Sequence, residues 1–188
     1  MSFLAKKDKE SATKEKISKK IKIGKTELEC SYNQEVFINV FCAVVYLVVF
    51  LFSEALSVRY YTGNEIWVTF ASASNGIMVL LAVVAFVSSL ALGVISSIRN
   101  IQFNNLKDLF KLLFSASVAG QIYLGISHCK ESIASFWADG TYNQYILQAD
   151  GEYTELLKAT SAVEPALGTY VMLLLVFLVL FTNARREG

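Results

Sequence analysis

Four stretches of this 188-residue chain, residues 36–55, 76–98, 109–127 and 166–182, are almost entirely apolar. Each has close to the roughly 20 residues that a helix needs to cross a hydrocarbon core of about 30 Å. In lipid every backbone N–H and C=O must be bonded internally, so isolated runs of this kind have to be helices. The expected fold class is therefore all-α: a four-helix transmembrane bundle, with the remaining segments as tails, a link and a cap. A soluble domain carries about a quarter charged residues spread through its length. Here only 18% are charged, 54% are hydrophobic, and the charges cluster at the ends and between the runs.

The distribution of positive charge sets the orientation. Nine lysines (6, 7, 9, 14, 16, 19, 20, 22 and 25) precede the first run. Arg99, Lys107 and Lys111 lie about the link between the second and third, and Arg185 and Arg186 follow the fourth. Four passes place these fourteen of the seventeen basic residues on one side and leave Arg59, Lys130 and Lys158 on the other. Basic segments are retained in the cytoplasm during insertion. Both termini are expected there, in a plasma membrane or a secretory or vesicle membrane. Residues 1–35 then form a Lys-rich cytoplasmic tail, 36–182 the membrane domain and 183–188 a second short tail. With a polar start no cleavable leader is expected, and the first run is expected to act as an uncleaved anchor. Residues 1–29 read as a solvated, largely disordered tail, with residues 16–25 offering attraction to anionic lipid. A net charge of +1 gives no reason to expect nucleic acid as a partner.

The outer side consists of two loops, 56–75 and 128–165. In the first, two short runs rich in β-branched and aromatic residues flank Gly63-Asn64, which predicts a hairpin. The second loop is long and acidic, and one of that length is expected to carry structure of its own. Residues 131–138 and 152–162 have the composition of short helices, and Pro165 is expected in the first turn of the fourth helix, where a missing N–H costs nothing. The aromatic residues Tyr60, Tyr61, Trp67, Phe136 and Trp137 fall in these loops. They are candidates for an outer recognition surface, with membrane-belt anchoring as the competing role.

Within the membrane, Gln121 is expected to face the bundle interior and to form an interhelical hydrogen bond. Ala116 and Gly120 have small-xxx-small spacing, and Gly93 repeats it with Ser89 and Ser97; such faces let backbones approach closely. These are the helix-packing candidates, for the bundle itself or for a homo-oligomer. Glu54 is expected at the outer end of the first helix, with Arg59 as a neighbour. Cys30 precedes the first helix and is a candidate for S-palmitoylation, and Cys129, on the outer side, for a bridge to another chain. No metal-ligand spacing, phosphate loop or nucleophile motif is present, so no cofactor, metal or catalytic residue is expected.

Four passes with cytoplasmic ends, a small first outer loop and a larger second one resemble the tetraspan plan shared by MARVEL-type, tetraspanin and claudin-like proteins. The Trp-Gly-Leu-Trp motif and cysteine pair of claudins are absent, since Trp67 stands alone, and the large loop has Cys129 rather than a Cys-Cys-Gly. A MARVEL-like protein requires neither. The likeness is one of topology, and topology does not fix function. The function expected is non-enzymatic: an organiser, an adhesion or trafficking factor, or an auxiliary subunit. Its partners would be membrane lipids and other membrane proteins, met laterally or across a cell contact. The alternative is a small channel or transporter, or a subunit of one, for which Asn39 and Gln121 supply little polar lining.

Overall fold

The structure, a computed structural model, describes residues 19–23, 26–30, 32–98, 103–146 and 151–182. In chain order the elements are β1 (Lys19–Ile23), β2 (Thr26–Cys30), α1 (Tyr32–Phe52), β3 (Glu54–Tyr61), β4 (Asn64–Thr69), α2 (Gly76–Ser97), α3 (Asn104–Ala138), a short 3-10 helix (Thr141–Gln144), α4 (Gly151–Lys158), β5 (Ala162–Pro165) and α5 (Leu167–Thr182). Helices α1, α2 and α3 are long and apolar enough to cross a membrane, and α5 is a shorter apolar helix. At 1.5 Å per residue, α5 extends about 24 Å and α3 about 52 Å.

The four apolar helices alternate in direction. Helix α2 packs between α1 and α3, and α5 closes the bundle against α1 and α3. Its core holds Tyr46, Phe50, Leu92, Phe114, Val118, Met172, Leu175 and Val179. The outward faces carry large apolar side chains: Phe37 is 70% exposed, Leu80 62% and Leu173 50%. A contiguous surface of this kind is untenable in water and natural in lipid. Asn75 starts α2 as its N-cap, its side chain accepting the Met78 N–H at 3.0 Å, which satisfies one of the free donors of the first turn.

At one end of the bundle sits a three-stranded antiparallel sheet, ordered β4-β3-β5. The fold is thus mostly helical rather than all-α. The sheet exists because β3 joins segments distant in sequence: Tyr61 pairs with Asn64 in the β3–β4 hairpin, and Val58 pairs with Val163 of β5. The hairpin turns at Thr62-Gly63, one residue earlier than expected, since it is Gly63 that adopts φ +88°. Such a conformation suits a residue without Cβ.

Several sequence expectations are corrected here. The first run stops short of Glu54 and Ala55, which start β3. The third run does not end at 127: residues 131–138 are the last turns of one continuous α3. The helix expected over 152–162 ends at Lys158, and Ala162 begins a strand. Pro165 closes that strand, opposite Leu56, instead of opening a helix. Strand β5 lies at the sheet edge, a position that tolerates a residue with no N–H to donate. Within the stretch read as a disordered tail, β1 and β2 pair as an antiparallel hairpin, with Lys20 opposite Glu29 and Lys22 opposite Glu27. Helix α1 begins at Tyr32 and so takes in Glu35, a residue of the expected tail. Residues 1–18, with five of the nine lysines, and the tail 183–188 lie outside the described residues.

Candidate functional site

The end of the bundle that bears the sheet forms a cap, and its framework is the upper part of α3. That helix ends with Phe136 and Trp137 facing β3. Phe136 stands against Tyr60 with ring centroids 4.9 Å apart, stacks on Tyr61 at 6.2 Å, and meets Trp137 edge-on at 5.2 Å. Beyond the helix, Gly140 adopts φ +71° and the chain turns back through the 3-10 segment. This brings Tyr142 to 5.2 Å from Trp137 and Tyr145 to 6.1 Å from Phe136. Aromatic pairs in these geometries contribute about 0.5–1.5 kcal/mol each beyond the area they bury.

Hydrogen bonds tie the cluster to both loops. The indole N–H of Trp137 donates to Ser161 Oγ at 3.0 Å, and the Ser161 hydroxyl donates to the Tyr60 carbonyl at 2.6 Å. The Tyr60 and Ser132 hydroxyls are 2.9 Å apart, and the Thr62 N–H donates to Thr160 Oγ1 at 2.9 Å. Arg59 reaches across the sheet to Glu164 at 2.6 Å, not to Glu54, which is exposed at the start of β3. This pair is partly solvated, so it is worth at most about 1 kcal/mol. Ser57 donates to Glu65 on the neighbouring strand.

Of the five aromatic residues picked from sequence, four (Tyr60, Tyr61, Phe136 and Trp137) come together. Trp67 does not join them. It lies on the edge strand β4 opposite Ser57, 52% exposed, beside Ile66 at 48%. Cys129 is buried in α3, so the bridge to another chain that its loop position suggested would require the cap to open. Cys30 ends β2; its side chain lies outside the described ones.

In the bundle interior, Gln121 is fully buried and accepts a hydrogen bond from the Tyr46 hydroxyl at 2.8 Å. Gly120 faces α2, where a Cβ would stand 3.0 Å from Leu81 Cδ1. Gly93 faces α1, where a Cβ would stand 3.1 Å from Val40 Cγ2. Ala116, paired with Gly120 by spacing, is exposed. The Ser89 hydroxyl donates to the Asn39 carbonyl at 2.8 Å, and the Thr169 hydroxyl to the Ala55 carbonyl at 2.6 Å.

Three features escaped the sequence reading. Lys107 and Glu35, each almost fully buried, form an ion pair at 3.1 Å at the end of the bundle away from the cap. The signal was available: Lys107, Phe114, Val118, Gln121, Gly125 and Cys129 lie on the buried side of α3, and their spacings of three, four and seven residues make one helical stripe. Gly168 is the second. A Cβ there would stand 2.9 Å from the Glu54 carbonyl oxygen and 3.2 Å from Ala55 Cα, so only glycine lets α5 dock on the start of β3. Gly125 is the third; a Cβ would meet Leu56 and Phe70 at 3.4 Å. Among the described residues no three His, Cys, Asp or Glu converge in a way that could hold a metal ion. No family model, curated protein or solved structure matches this chain.

Proposed function

We propose that this is a four-pass, non-enzymatic membrane protein whose bundle is a scaffold and whose cap is an outward recognition surface for other membrane proteins. The observation that carries the reading is the joining of both loops and the end of α3 into one aromatic unit, with Trp67 and Ile66 left exposed on the sheet's edge strand. Aromatic side chains in such positions are frequent anchors of protein interfaces, and an edge strand offers unpaired backbone groups to a partner. The fourteen basic residues that four passes would put on the side opposite the two loops favour a cytoplasmic position for that side, with the cap outside or in a lumen. The length of α3 fits this arrangement, because a helix of about 52 Å exceeds the hydrocarbon core by about 20 Å.

A transport role is the second reading, favoured by one observation. Glu35, Asn39, Ser88, Ser89, Ser96 and Lys107 are all buried in the half of the bundle away from the cap, and ionisable groups inside a membrane often mark ion or substrate paths. Against it, Glu35 and Lys107 neutralise each other, and the polar groups of the other half, Gln121 and Thr169, bond to Tyr46 and Ala55.

Two experiments separate these readings. After mild detergent extraction, a stoichiometric membrane-protein partner supports recognition, and ion flux from the purified protein in liposomes supports transport. For the orientation, tags at residues 1 and 188 should be protected in intact cells, while a cysteine placed at the exposed Ala134 should react with an impermeant maleimide. A labelled terminus would overturn it.

A further inference from the structure

The cap contains an open cavity of about 380 Å³, whose lining includes Tyr60, Ser132, Phe136, Asp139, Thr141 and Tyr145. We propose that this cavity binds a small organic ammonium ion, an alkylated or quaternary amine, held by the rings of Tyr60, Phe136 and Tyr145 and by the Asp139 carboxylate. The inference rests on the reading of the cap as facing the aqueous outer side, and it adds a ligand class to that reading.

Four observations point the same way. The three rings are neighbours, with Phe136 4.9 Å from Tyr60 and 6.1 Å from Tyr145, and aromatic faces attract organic cations. Asp139 is the one charged residue in the lining, and among the described residues no cation pairs with it. Its position is unusual. It caps the C-terminus of α3, its N–H bonded to the Ser135 carbonyl at 2.9 Å, and no basic residue occupies the last turn. A helix C-terminus carries partial negative charge and favours cations, so its dipole adds to the attraction of the Asp139 carboxylate for a positive group. Finally, of the three basic residues on this side of the chain, Arg59 and Lys158 are engaged by Glu164 and Glu155, and Lys130 is not among the residues that line the cavity.

The lining also selects the kind of cation. A calcium or magnesium ion needs several oxygen ligands, with more than one carboxylate as a rule, and here one carboxylate stands among rings. Methyl or methylene groups on nitrogen match those rings, and the Ser132 and Thr141 hydroxyls can bond to a hydroxyl or N–H of the ligand. The volume lies at the small end of the range for ligand sites. By the rise of α3, Asp139 stands about 18 Å beyond residue 127, where the apolar run ends. That height favours a soluble amine over a lipid headgroup.

The test uses the full chain in a maltoside detergent free of choline lipids. Tetramethylammonium and choline are titrated in a Trp67→Phe background, which leaves Trp137, packed on Phe136, as the one tryptophan whose fluorescence is followed. Saturable binding is expected, weakened about tenfold or more by Asp139→Asn and by Tyr145→Ala, and unchanged by Glu131→Gln on the exposed side of α3. No saturable response in the Trp67→Phe chain would overturn the proposal, as would affinity undiminished in Asp139→Asn. Repeating the titration in phosphatidylcholine and phosphatidylglycerol nanodiscs distinguishes the sources. Equal affinity in both supports a soluble ligand, and competition confined to phosphatidylcholine assigns the site to a headgroup and overturns the soluble source. Loss of partner binding in Trp67→Ala is scored separately. If it is seen while no ammonium binds, the ligand falls and the recognition reading stands; the opposite pair of results removes the recognition reading alone.

Discussion

In the helical layer a shell of large apolar side chains, Phe37, Leu80 and Leu173 among them, faces outward around an apolar core, into which serines, Asn39, Gln121 and the Glu35–Lys107 pair are also turned. The cap has the opposite arrangement: Trp137 is buried, Phe136 is half-buried, and Asp139, Glu155 and Glu164 lie outside. One chain thus follows two solvents. Lipid gives no hydrophobic incentive for helices to associate, so the bundle depends on close packing at Gly93, Gly120 and Gly168 and on interior hydrogen bonds. Water supplies that incentive for the cap, where rings gather beneath charged residues. The boundary runs through α3, which carries Gln121 in one region and Trp137 in the other.

The strongest way to break this comparison is at the buried ion pair. Glu35→Ala or Lys107→Ala alone leaves a charge uncompensated and is expected to cost about 3–5 kcal/mol, whereas replacing both with leucine should recover most of the loss. Unfolding in detergent, monitored by circular dichroism, measures each term. If the double variant is no better than the single ones, the two residues do not act as a pair. In the cap, Trp137→Ala should cost about 3–5 kcal/mol of local stability. It should expose the Gly140 turn to protease while leaving the helical melting of the bundle in place; simultaneous loss of both would deny that the two regions are separately built.

Smaller effects sharpen the account of the bundle. Gly120→Leu pushes a side chain into Leu81 and should cost about 1–3 kcal/mol, while Ala116→Leu, on an exposed position, should be silent in the monomer. An effect at Ala116 with none at Gly120 would move the small-residue face to an interface between chains. Tyr46→Phe removes the hydroxyl that Gln121 binds and should cost roughly 0.6–2 kcal/mol, measured by the same unfolding assay.

Much of the bundle was legible in the sequence because long apolar runs are local signals. Helix α2 matches its run to within a residue, Asn75 and Ile98 marking its two ends. What was not legible depends on partners far along the chain. Nothing near Ala162 announces a strand, since β5 exists only because β3 is there to pair with it. Lys107 reads as an interfacial charge until Glu35, 72 residues away, is placed beside it. The aromatic residues of the cap could be picked by type, yet which of them cluster and which stays exposed depends on the sheet register, and that placed Trp67 apart from the rest. The hydropathy of residues 128–138 hid the continuation of α3, because a helix leaving the membrane changes its polarity without changing its backbone.

The most direct test of the central claim is partner recovery per molecule delivered to the cell surface, compared between Trp67→Ala in the cap and Leu80→Ala on the outward face of the bundle. Both residues are more than half exposed, so neither change should impair folding. The account predicts that Trp67→Ala reaches the surface normally and loses most of its partner, while Leu80→Ala binds like the wild type. Full recovery with Trp67→Ala, or its loss with Leu80→Ala, would place recognition in the membrane layer and contradict the account.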